Sequence, residues 1–527
     1  MRSSSIPNPG AIQSALENSP FDASYGSKAE EKMPLIINSK SIKNIKEIAI
    51  ESSPNNAWEG VQALNFNDKN IDSQNVINLI RAIHGEGHNK SLYCGTFPLP
   101  EEQEDVNDWI ANLKKSKDDE GNERNPKLFI SAHFTDITKA SKLADEIAKL
   151  MDEKEKEDSL TKEKEGALAG KLKEFTALTV GFIVTERYND DAVLFNYVIR
   201  NRDFSKETTN HDACPALNMI NHKLEQCGEV NAIFWEANDP KKTPFFDKDG
   251  NPDFTVDVMD PHRRIQILEE GYGAKAIKFK WVQPPLSPEQ EMCDTLILYS
   301  FPTKGETITV KQKAEALIKF VNKFYETFPI EGEFKSDDTS SAPEKFANYC
   351  ENRSKEIGEI ILVEPAELSD ANKEIVESRI LPEARKLSYE KLSDEDLRQK
   401  LKLIIYSDED FKDSKKEDKE AILANTLTLL RDELGDTAKA VKEMVEDLKK
   451  IMENPEKNFY DEPKLDKKAV TMGQENLKNF EANQEATPST APKSYRDALM
   501  GGERDKGTAT RSYSKAVEGS GTSRSPS

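Results

Sequence analysis

The sequence predicts an α/β (α+β) protein: a mixed central sheet with flanking helices, an α-helical C-terminal region and disordered ends. Three observations carry this. Strand-like runs such as Lys127–Phe134 and Thr295–Phe301 alternate with amphipathic helical stretches through the first 330 residues. From about residue 366 to 455 only helix starts and apolar stripes remain, as in a helical hairpin or bundle. Residues 1–30 and the tail from about 456 are rich in small and polar residues with little periodicity, and are expected to be disordered.

Taken in order, residues 31–90 form an N-terminal extension with one helix, capped by Ser73, striped by Val76, Ile77, Leu79, Ile80 and Ile83, and ended by Gly85. Ser91–Phe97 reads as a strand. Glu101–Lys115 is a helix with an acidic start that buries Val106, Trp109, Ile110 and Leu113. Lys127–Phe134 is the next strand. A charged helical insertion at about 141–174 follows, whose DEKEKEDSLTKEKE run has no apolar face. Phe175–Glu186 and Val193–Arg200 pair antiparallel across a turn at Tyr188–Asp191. Asp212–Cys227 is helical and Val230–Ala237 is a strand. A helix after Pro261 stops at Gly271 and Gly273, and Ala276–Val282 alternates Ile277, Phe279 and Trp281 against two lysines, the period of a strand. Gln283-Pro284-Pro285 ends it, because proline brings no N–H to a ladder. Val310–Phe328 is an amphipathic helix, and 331–365 a linker. Ser369, Ser393 and Ser407 open later helices; Gly435 ends the stripe through Leu423, Leu427, Leu430 and Leu434.

Composition limits the function. Of 527 residues, 36% are hydrophobic and 32% charged, and the net charge of −22 opposes general binding to nucleic acid or anionic membranes. No run is apolar enough for a membrane span or a secretory signal, so a cytoplasmic protein, or one translocated into a host cell without an N-terminal signal, is expected. Five cysteines without CxxC spacing fit free thiols. His84-Gly85-Glu86-Gly87-His88 reads as a polar turn, since two glycines break the helix that a zinc motif needs. Cys94 and Cys214 read as structural thiols.

Gly271-Tyr272-Gly273-Ala274, Trp281-Val282-Gln283-Pro284-Pro285-Leu286 and Asp294-Thr295-Leu296-Ile297-Leu298 together resemble the C-terminal end of the GNAT superfamily of acyl-CoA-dependent N-acyltransferases. The resemblance extends back over residues 91–302, which would form a GNAT-like domain at 91–330. It implies acetyl-CoA as cofactor, lying between two splayed strands at 194–200 and 230–237. An amine of a small molecule or a protein would be the acceptor. The cofactor would meet Val198, Ile199, Arg200, Arg202 and Asn210. The glycine loop that cradles pyrophosphate is degenerate here, because no glycine lies between Gly181 and Gly228. The family's acid tyrosine is replaced by Leu268. Glu236 is the first choice for general base and Glu186 the second, each weighed against a plain surface carboxylate. No metal site is expected. The competing reading is a catalytically inactive GNAT-like protein that binds a partner through its C-terminal helices. The Lys/Asn/Glu-rich composition and Ser/Thr-rich tail point that reading toward a bacterial translocated effector.

Overall fold

The computed structural model describes residues 36–37, 62–66, most of 71–96 and 104–201, most of 230–302, then 308–326, 340–361 and nearly all of 368–486, besides Met219, Lys223 and a few further positions. The N-terminal stretch before residue 35, the expected helix at 212–227 apart from those two positions, and the tail beyond 486 lie outside the described residues.

An eight-stranded mixed sheet organises the chain. Its strands are β1 (Ile36–Ile37), β2 (Gln62–Phe66), β3 (Lys127–Phe134), β4 (Thr179–Tyr188), β5 (Ala192–Arg200), β6 (Ala232–Asn238), β7 (Lys275–Ala276) and β8 (Leu296–Ser300), in the order β1-β2-β3-β4-β5-β6-β8-β7. All neighbours are antiparallel except β1/β2 and β5/β6. The sheet therefore begins before residue 91, in the stretch expected to be a mere extension.

Helices α1 (Gln74–His84) and α2 (Val106–Lys114) stand between β2 and β3; α3 (Ile137–Glu157) and α4 (Lys162–Leu178) form a hairpin between β3 and β4. Gly85 ends α1 at φ +87°, where a side chain would also run into Ser91. Ser91–Thr96 is turn rather than strand: Ser91 Oγ and the N–H groups of Tyr93 and Cys94 all bond back to the last turn of α1. The insertion is charged at its tip yet buries Leu143, Ile147, Met151, Leu168, Leu172 and Phe175. With α1, α2 and β2–β5 these residues build one hydrophobic core on one face of the sheet.

A second core lies on the same face, beside the first. It joins β5, β6 and β8 to α6 (Val310–Glu326), α7 (Ala342–Ile360), α8 (Asp370–Ile375), α9 (Leu381–Tyr389), α10 (Asp394–Ser407) and α11 (Lys416–Glu453). Alternate residues of β4 prove the shared face: Val184 packs in the first core and Tyr188 in the second. The opposite face carries a third core, with Ile265, Leu268 and Tyr272 against Tyr299 and Phe301.

The structure departs from the sequence expectation at several points. The segment 331–365 holds α7, opened by a true capping box of Ser341 and Glu344. Ser369 and Ser393 cap as expected, but Asp408, not Ser407, caps the short turn that follows α10. Gly435 does not end a helix. α11 runs unbroken for 38 residues, because α7 crosses it there and a Cβ on Gly435 would stand 3.3 Å from Ser354 Oγ. Gly271 lies within a π-helical turn (Ile267–Gly271) after α5 (Pro261–Gln266), and only Gly273 takes positive φ. The strand expected over Ala276–Val282 shrinks to β7. Beyond it, Ile277 pairs with Tyr460 and the Lys278 N–H donates to Phe459 O. Residues 459–486 are accordingly not disordered: they return to the sheet edge and end in α12 (Lys467–Ala486), which packs on α5. Among the described residues no helix is long and apolar enough to cross a membrane.

Candidate functional site

β5 and β6 are parallel neighbours whose register covers only Ala192–Phe195 against Ala232–Trp235. Past that point β5 continues on β4, and β6 continues on β8 through Glu236, Ala237 and Asn238. The two strands thus part into a wedge with a backbone edge on each side. Its cause is visible in β5. Register with β4 shifts between Val184 and Thr185, so Asn196 is one residue too many, and such a bulge bends its strand. The Asn196 carboxamide oxygen is shielded from solvent and accepts no hydrogen bond from the described residues.

The bulge also re-aims side chains. Leu194 belongs to the second core and Tyr197 packs on the first, both on one face although three residues apart. A regular strand would send them to opposite faces. Tyr197 donates from its hydroxyl to Glu104 Oε1 at 2.8 Å, and the Trp109 indole N–H donates to the other carboxylate oxygen. Burial raises the Glu104 pKa, only partly offset by those two donors.

Across the wedge, Glu236 stands on the face of β6 shared with Phe234. It keeps a minor part of its surface in water, yet its carboxyl group is set deep among protein atoms. Burial pushes its pKa up to about 7, against a donor bond from Trp281 Nε1 to Oε1 at 2.6 Å, and the charge of Glu186 adds to the rise. Glu186 itself accepts from the Tyr188 hydroxyl at 2.7 Å. Tyr188 is held well above the usual phenol range by burial first and then by Glu186, with Glu236 and Glu104 contributing. Glu186 bonds to this phenol in the seam where the first and second cores meet, and Glu236 and Glu104 act on it only as more distant charges. The Cys293 thiol belongs to the same surroundings: burial raises its pKa and the Glu236 charge adds to it.

Both expected bases, Glu236 and Glu186, are brought together. Of the expected cofactor residues, Val198 and Ile199 lie on β5 beyond the bulge, paired with Ile183 and Phe182. Arg200 closes that strand opposite Gly181. Arg202 and Asn210 lie outside the described residues. Leu268 and Tyr272 are buried on the opposite face of the sheet, as packing residues. His84 is structural: its Nδ1 accepts from the Glu86 N–H, so Nε2 carries the proton given to Glu104 O at 2.7 Å. Among the described residues no group of three or more His, Cys, Asp or Glu is placed to hold a metal ion.

Sequence reasoning missed Glu104, Tyr188, Trp281 and Asn196 as site residues. Glu104 sits in an acidic run that reads simply as a helix start, and Trp281 in one that reads as a strand. The chain matches no family model, no curated protein and no solved structure.

Proposed function

We propose that the protein is an acyl-CoA-dependent N-acyltransferase with Glu236 as general base. The observation that carries the reading is the wedge: parallel strands that part beside a carboxyl group whose pKa is about 7. An extended, amide-bearing ligand can lie against the edge of β5 that has parted from β6, like an added strand. Asn196, with its unfilled carboxamide oxygen, offers such a ligand an acceptor. Val198 and Ile199 would lie along the acyl carrier's arm, on the part of β5 that has left β6. The bound carrier supplies an activated thioester.

The chain's own part is proton handling and orientation. Only a neutral amine attacks a thioester, so a group must take the ammonium proton near neutral pH, and a carboxylate with a pKa of about 7 is matched to that task. The Trp281 indole fixes the Glu236 rotamer through Oε1 and leaves Oε2 for the amine or an intervening water. The Glu186 charge that raises the Glu236 pKa also favours a cationic acceptor over an anionic one.

The test is thiol release from acetyl-CoA in the presence of primary amines. Glu236→Gln should lower the rate roughly 10²- to 10⁴-fold, the usual range for losing a general base. The wild-type rate should rise with pH through about 7, as Glu236 loses its proton. Equal rates in the wild type and Glu236→Gln, or no turnover with acetyl-CoA or longer acyl-CoAs, would leave the inactive, partner-binding reading standing.

A further inference from the structure

The indole that holds Glu236 belongs to a segment with few regular hydrogen bonds of its own. Between β7 and β8 the chain runs from Ile277 to Thr295, and its closest approach to regular structure is the mutual backbone pairing of Gln283 and Cys293 at 2.8 and 2.9 Å. Trp281 stands two residues before that pair. Lys242 clasps Asp294 at one end of the segment, and further ties come from α6 and from the chain that follows α11. The Tyr325 hydroxyl on α6 donates to Val282 O at 2.7 Å. Phe459 and Tyr460 take Lys278 and Ile277.

The far end of the segment is held by Arg385 of α9. Its guanidinium lies buried, with Nε and Nη2 on the two oxygens of Glu433 from α11 at 2.8 and 3.1 Å. The remaining donors leave the helices altogether: Nη1 reaches Glu289 O at 3.2 Å and Nη2 also reaches the Glu291 carboxylate. One rigid fork thus ties two helices to the tip of the loop whose base carries Trp281. A lysine has no second plane of donors with which to do both.

We infer that Arg385 is a positioning residue for Glu236, acting through the 283–293 loop and Trp281, and that the C-terminal helices serve as the scaffold of the site. The inference rests on the reading of Glu236 as the working carboxylate. It gives the helical region a task inside the molecule, with no outside partner required.

The experiment labels the full chain with 5-fluorotryptophan and follows ¹⁹F resonances from pH 5 to 9. The Trp281 signal, assigned by its loss in Trp281→Phe, should titrate near pH 7 in the wild type, and this response should vanish in Glu236→Gln. Arg385→Met alone strands Glu433 in the interior, so the probe variant is Arg385→Met with Glu433→Leu, which removes both buried charges. In it, the Trp281 titration should lose at least half its amplitude or move by about one pH unit, while the Trp109 and Trp235 signals stay in place. Arg385→Lys should fall between. An unchanged Trp281 titration in the double variant overturns the role of Arg385 and leaves Glu236 untouched. A wild-type Trp281 signal that ignores Glu236→Gln overturns both this inference and the function it rests on.

Discussion

Two buried carboxylates show how the molecule treats charge in its two halves. Glu433, in the helical region, is pushed up to about 6 by burial and pulled down by Arg385, which gives it a bidentate partner. Glu236, in the seam, is pushed up to about 7 with a neutral indole as its donor and another carboxylate nearby. A protein built for stability alone would pair both or replace both with apolar groups. One has a cationic partner and the other only a neutral donor, and on the function proposed above that contrast would separate a structural carboxylate from a chemical one.

The contrast can be broken from the structural side first. Arg385→Ala should destabilise the protein by about 3–5 kcal/mol, because it strips the Glu433 carboxyl of its cationic, bidentate partner. Urea unfolding would check this, and a loss below about 1 kcal/mol would show that the pair is solvated. Next comes Trp235→Ala, on the face of β6 away from Glu236. Trp235 stacks on Phe301 with ring centroids 5.7 Å apart, and its removal should cost about 3 kcal/mol. Near-wild-type melting would mean that β6 does not lie in the sheet.

From the chemical side, pH dependence sharpens the comparison. A carboxyl group whose folded pKa lies above its unfolded value favours the folded state in its protonated form. Between about 4.5 and 7 the folded chain therefore holds more protons than the unfolded one, and stability falls as pH rises across that window. For Glu236 the fall is on the order of 3 kcal/mol, at about 1.36 kcal/mol for each pH unit that the window spans. Glu236→Gln should flatten that part of the curve; a curve identical to the wild type would place the Glu236 carboxyl in water. The smallest effect is expected at Gly435→Ala. Gain in helix propensity of about 1 kcal/mol is set against crowding of Ser354 Oγ, which donates to Arg431 O, so the net change should stay within about 1 kcal/mol.

Much of the sheet was legible in sequence because its strands carry the period-two or continuous apolar patterns that burial demands. β3 has the expected ends, and β5, β6 and β8 fall close to theirs, whereas β4 starts four residues later than expected because Phe175–Leu178 close α4. Misreadings cluster where a local signal was overridden by a distant contact. Ile277, Phe279 and Trp281 alternate like a strand, but Ile277 pairs with Tyr460, some 180 residues on, and Trp281 turns to Glu236. Gly435 looks like a helix stop until α7 is laid against it. Within the site, Glu236 and Glu186 could be chosen from their strand positions. Glu104 could not, because its approach depends on the bulge at Asn196, and a one-residue register shift leaves no mark in composition or period.

The wedge itself is most directly tested by amide hydrogen exchange over residues 192–200 with and without acetyl-CoA. In the free chain the β5 amides up to Phe195 should be protected, and those beyond it that face β6 should exchange fast and slow at least tenfold when the ligand binds. Uniform protection along β5 without ligand, unaltered by acetyl-CoA, would mean that the strands do not part and that no ligand-binding wedge stands beside Glu236.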